Sequence, residues 1–137
     1  MKILTSALLL FAVLAPASDT NQATTYIAHY LEPFHGPQAY KDAGSGVIFY
    51  VESDGRHVAA IGPDGKVLWN RDPFSDARLE FYRTKTPRIV YIGKTSPRNE
   101  AYWATNGIPK VIGIAYNSSQ FGELDVRTGD FKFHGQD

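Results

Sequence analysis

The sequence predicts an all-β chain: an antiparallel meander of two similar three-strand units, packed as a small sandwich or barrel behind an N-terminal signal peptide. Three observations carry this. The stretch 47–69 recurs in weakened form at a shift of 64 (111 − 47), where Val47-Ile48 aligns with Val111-Ile112, Gly65 with Gly129, Val67 with Phe131 and Trp69 with Phe133. Asp54-Gly55 and Asp64-Gly65 are turn dipeptides of the kind that close hairpins. After residue 35 no segment shows sustained 3.6-residue periodicity, whereas short β-branched and aromatic runs recur at roughly ten-residue spacing.

From the N-terminus, Lys2 supplies a positive charge, residues 3–14 are apolar apart from Thr5 and Ser6, and Ala15-Pro16-Ala17 offers small residues to a signal peptidase. Residues 1–17 are therefore expected to be a signal peptide cleaved after Ala17, which places the mature chain outside the cytoplasm, secreted or periplasmic. A spanning helix needs about 20 apolar residues, and Ser18-Asp19-Thr20-Asn21 follows too soon, so no transmembrane segment is expected after cleavage. The chain has no cysteine. Thiolate metal sites, Cys nucleophiles and disulfides are thereby excluded, and the core must hold the fold. In a eukaryotic secreted chain, Asn117-Ser118-Ser119 would be a glycosylation acceptor.

Residues 18–45 form an N-terminal extension. Within it, 26–32 fits an edge strand or one helical turn, and 33–46, rich in Pro, Gly and polar residues, fits an ordered loop or linker. Residues 46–137 are the β-meander domain. Strands are expected at 47–51, 57–61 and 66–69, separated by the two Asp-Gly turns, with Trp69 in the core. A short strand at 79–83 and a clearer one at 88–92 follow. Residues 96–101 fit a polar loop leading through Tyr102-Trp103 to the turn Asn106-Gly107. The second unit then gives strands at 111–116, 121–126 and 131–133, with turns at Asn117-Ser118-Ser119 and Thr128-Gly129.

The phrase 53–69, with Asp64-Gly65-Lys66 turning into a strand that ends at Trp69, resembles one blade of a quinoprotein-type (PQQ-like) β-propeller. The stretch 121–131, through Thr128-Gly129-Asp130, is similar to the same part of another blade. The blade-like repeats span 47–70 and 111–134. The resemblance implies local blade topology and an extracytoplasmic setting, as in small secreted bacterial proteins. Propellers close with about four to eight blades, and this chain has material for two. The family's cofactor- and metal-binding residues have no counterpart here, so no cofactor is expected.

No catalytic signature stands beside the repeat. His29, Glu32 and His35 fall within seven residues, but neither strand nor helix geometry gathers all three into a tetrahedral site. There is no Gly-x-Ser-x-Gly; Ser45, between two glycines, is more simply a flexible entry to the first strong strand. Phosphate-cradling loops are absent. The Asp-Gly turns lack the alternating oxygen ligands of a calcium loop. Glu32, Glu52, Glu80, Glu100 and Glu123 show no spacing that singles out a catalytic pair. Tyr102 and Trp103, beside a polar loop, are candidate ligand contacts that could stack on a sugar; the competing expectation is core packing of a short strand.

The precursor carries 14 basic and 14 acidic residues, and loss of Lys2 leaves the mature form at 13 − 14 = −1. This gives no support for nucleic-acid binding. Arg78, Arg83, Lys85, Arg88, Lys94 and Arg98 fit either an anionic-partner patch or a solvated sheet edge that resists pairing, the latter being favoured. The expectation is a non-catalytic secreted β-module that binds a protein or envelope component. The alternatives are a small extracytoplasmic hydrolase or carbohydrate-active enzyme, and a structural subunit that self-associates through blade edges as a homo-oligomer.

Overall fold

In a computed structural model describing residues 33–95 and 97–137, the chain forms two four-stranded antiparallel sheets packed against each other. The first runs β1 (Gln38–Lys41), β2 (Ile48–Val51), β3 (Val58–Ile61), β4 (Val67–Arg71). The second runs β5 (Ile89–Gly93), β6 (Val111–Tyr116), β7 (Gln120–Asp125), β8 (Phe131–Gln136). In each, spatial order follows chain order, so each is a plain meander and no barrel closes. The mostly β character is as the strand patterns imply. Residues 1–17 and 26–32, the expected signal peptide and the ambiguous first element, lie outside the described residues.

Local chemistry explains the hairpins. In β2–β3, Asp54 accepts from the backbone N–H groups of Arg56 (2.8 Å) and His57 (3.1 Å). In β7–β8, Asp125 does the same for Arg127 (2.7 Å) and Thr128 (3.0 Å). Such side-chain turns fix the reversal without help from the core. At a shift of 64 the ranges of β2, β3 and β4 fall on β6, β7 and β8, with the ladder register at β7 one residue out, so that Ile61 pairs as Leu124 does.

Three segments differ from the sequence expectation. The 33–46 stretch contains β1, a polar edge strand held by its pairing with β2 (Tyr40 opposite Phe49) rather than by intrinsic preference. Residues 79–83 are irregular rather than a strand. Arg78 and Arg83 both have positive φ (53° and 59°), which breaks an extended run. Residues 97–106, expected as loop and strand entry, form helix α2 (Pro97–Asn106). Proline at its first position and Gly107 just beyond its end, at φ 64°, bracket it. A second short helix, α1 (Pro73–Asp76), is capped by Asp72, whose carboxylate accepts from the Ser75 N–H. Because α2 sits inside the β5–β6 connection, β1 and β5 escape the 64-residue repeat.

The core lies between the sheets. Tyr40, Phe49, Val51, Val58, Ala60 and Trp69 come from the first, and Ile89, Ile92, Ile112, Ile114, Tyr116, Leu124 and Phe131 from the second. Trp69 is buried as expected and donates through Nε1 to the Val126 carbonyl (3.1 Å), tying β4 to the β7–β8 turn. Asp42, almost fully buried, joins the β1–β2 turn to Lys110 (2.6 Å) ahead of β6. Burial alone would raise the Asp42 carboxyl, but hydrogen bonds from Lys110 and Ser45 outweigh it and hold the group below the usual carboxylate range.

The two sheets stack head to tail. Hydrogen-bonded and non-bonded pairs alternate along an antiparallel ladder. The Asp42 N–H to Val47 carbonyl bond sets the β1–β2 phase, so Phe49 turns its backbone groups toward β1. The Val126 N–H to Lys110 carbonyl bond sets the β6–β7 phase, so Ile112 turns its backbone groups toward β7. Both side chains point into the core. In L-residues, strand direction and side-chain direction together fix the side on which the backbone groups lie. The second strand of one meander and its counterpart in the other thus bury opposite faces. The sheets thus stack face to opposite face, not as halves of a two-fold sandwich.

Candidate binding face

Head-to-tail stacking leaves the outer face of the first sheet equivalent to the inner face of the second. Across strands two to four, the row Ile48, Ile61, Val67 corresponds to the row Ile112, Leu124, Phe131. Tyr50 likewise corresponds to Ile114. In the second sheet these positions are core or packed against it. In the first they remain apolar and uncovered among the described residues: Val67 is 62% exposed, Tyr50 38%, and Leu68, the extra residue of the β3–β4 bulge, 53%. Ile48 and Ile61 are half-buried. The sequence signal was the unbroken apolar run 47–51, since a strand covered on one face only should alternate.

A polar cluster flanks the β2–β3 turn. Arg56 forms a forked ion pair with Asp72 (2.7 Å), donates to Ser75 Oγ (2.9 Å) and lies over the Phe74 ring (4.7 Å). Asp72 thus caps α1 and anchors the turn together. Beside it, His57 Nδ1 meets Asp54 Oδ2 at 2.5 Å. Burial would raise Asp54, but the backbone N–H of Arg56 and the His57 ring prevail and bring its carboxyl down to about 2. The hydrogen bond to Asp54 raises His57.

Both side chains are nearly half exposed (44% and 46%) and screened by solvent, so the pair contributes under about 1 kcal/mol. The depressed acid stabilises the fold above its unfolded pKa and loses that contribution as pH falls from about 4 toward 2. The raised histidine contributes fully below about 6.5 and fades as pH rises through its folded value. Proton NMR titration of Asp54→Asn should return His57 toward its ordinary pKa.

The remaining sequence candidates disperse. Tyr102 is 60% exposed, on a helix rather than in a loop, and its carbonyl accepts from Asn106 (2.7 Å). The side chain of Trp103 lies outside the described atoms. His35 is exposed, His29 and Glu32 fall outside the described residues, and His134 pairs with Glu123 (2.9 Å) on the outer side of the second sheet. Among the described residues no three metal-ligating side chains gather. Arg78, Arg83 and Lys85 lie on the irregular crossing between the sheets, not on a sheet edge. Arg83 donates to the buried Ser119 hydroxyl (2.8 Å), and Arg88 stacks on Phe34 (5.2 Å). Asn117 accepts from the Arg88 N–H (2.9 Å), so Asn117-Ser118-Ser119 is built into the seam between crossing and sheet.

Among the described residues no helix is long and apolar enough to cross a membrane. No family model, no curated protein and no solved structure matches this chain.

Proposed function

We propose that this chain is an extracytoplasmic, non-catalytic β-module that binds a protein or envelope component through the outer face of its first sheet. The observation that carries this reading is the apolar row Ile48, Ile61, Val67, half-buried at the two isoleucines and exposed at Val67 among the described residues, with Tyr50 and Leu68 beside it. Contiguous exposed apolar surface on a folded domain marks an interaction site. The signal-peptide pattern and the resemblance of 47–70 and 111–134 to propeller blades support an exported scaffold. A second reading, a small extracytoplasmic hydrolase, draws on the Asp54–His57 pair with Glu52 and Asn70 (2.7 Å apart) nearby.

The deciding experiment fractionates host cells producing wild type or Leu68→Glu at equal levels, with zero-length cross-linking. Wild type should cross-link to a discrete partner and the variant should be released unbound. Identical behaviour of the two would overturn the face. Turnover of a substrate lost in His57→Ala, but kept in Leu68→Glu, would favour the hydrolase.

A further inference from the structure

We infer that the occupant of this face is a second copy of the chain, docked head to tail. The inference rests on the binding reading above and names its partner. Within one chain, the inner face of the second sheet is covered by the inner face of the first. The outer face of the first sheet, which no described residue covers as a second layer, is the positional equivalent of that covered surface: Ile48, Tyr50, Ile61 and Val67 stand for Ile112, Ile114, Leu124 and Phe131. Its matching cover must be the equivalent of the first sheet's inner face, and that equivalent is the outer face of a second sheet. There, half-buried Gly113 and buried Ala115 stand where Phe49 and Val51 stand in the first sheet, half-buried Val111 lies at their end of β6, and Glu123, paired with His134, shares the face. A chain with one half of an interface at each end associates heterologously, and repetition of the same step closes a ring or continues as a filament. Faces, rather than strand edges, carry the contact.

Two variants test this on the full chain as its host processes it. Val67→Glu places a charge at the most exposed position of the first face, and Val111→Glu places one on the second. Wild type should sediment as a multimer, and each variant alone should fall to the mass of one chain. Mixed one to one, the two variants should form a dimer and stop, because each still offers one intact face. Far-ultraviolet circular dichroism and the unfolding midpoint at low concentration identify a variant that simply misfolds. Should Val67→Glu misfold, Leu68→Lys replaces it.

A wild-type monomer, or a multimer that survives either charge, overturns the inference. A dimer broken by Val67→Glu but not by Val111→Glu would be two-fold and overturns it as well. If the chain is monomeric and Leu68→Glu still abolishes cross-linking to a discrete partner, the binding reading stands with a different occupant.

Discussion

Gly129→Ala should destabilise the fold by about 3 kcal/mol, whereas Gly65→Ala, at the equivalent turn, should cost about 1. Both glycines have left-handed φ, 75° and 81°. Any L-residue carries a penalty of about 1–2 kcal/mol there, so the backbone term is common to both. The surroundings differ. A Cβ at Gly65 meets nothing within 4 Å. A Cβ at Gly129 would stand 2.7 Å from Trp69 Cε3 and 2.8 Å from Arg71 Cγ. Trp69 cannot retreat without losing its Val126 hydrogen bond and its packing on Phe49 (centroids 5.8 Å apart). Overpacking of this kind adds about 1–3 kcal/mol. Urea unfolding followed by Trp fluorescence measures both variants. Equal costs would mean that the β7–β8 turn does not press on β4.

That pair also shows what a sequence can reveal. Gly65 and Gly129 are indistinguishable in the repeat, because turn chemistry is local and Asp, Thr and Gly encode it within a few residues. The hairpins were legible for that reason, and so was Trp69 as core. The load on each turn was not, since it depends on which sheet lies behind it. β1 was missed because its four residues gain strand character from β2. Helix α2 was missed because its described apolar residues, Ala101, Tyr102 and Ala104, all face solvent and give no apolar period to read. Its brackets, Pro97 and Gly107, were the available signal. Tyr102, for which core packing of a short strand was the favoured expectation, is exposed and on a helix instead. The run 47–51 held the strongest unread clue to the proposed binding face: it lacks the alternation expected of a strand covered on one face only. The head-to-tail relation could not be read at all, because it needs the ladder phase of both meanders.

Neighbouring substitutions in β2 separate the two sides of that strand. Phe49→Ala should cost about 3–5 kcal/mol, the range for emptying a buried aromatic site. Phe49 is fully buried, stacks with Tyr40 (6.4 Å, 18° between planes) and touches Trp69. No nearby side chain can swing in, because Val51 and Val58 are themselves fully buried in the same layer. Tyr50→Ala, one residue on, removes a ring of similar size from the opposite face. For a single chain it should cost less than about 1 kcal/mol, as exposed substitutions do. If the outer face is covered by a second copy, that small cost should grow with protein concentration, because the multimer is linked to folding by mass action. The Phe49→Ala cost reflects a cavity inside one chain and should show no such dependence. Unfolding midpoints of both variants across a dilution series therefore distinguish core from interface within two adjacent residues. A Tyr50→Ala cost that is large at every dilution would place that ring in the fold's own packing and leave the first sheet without a free face.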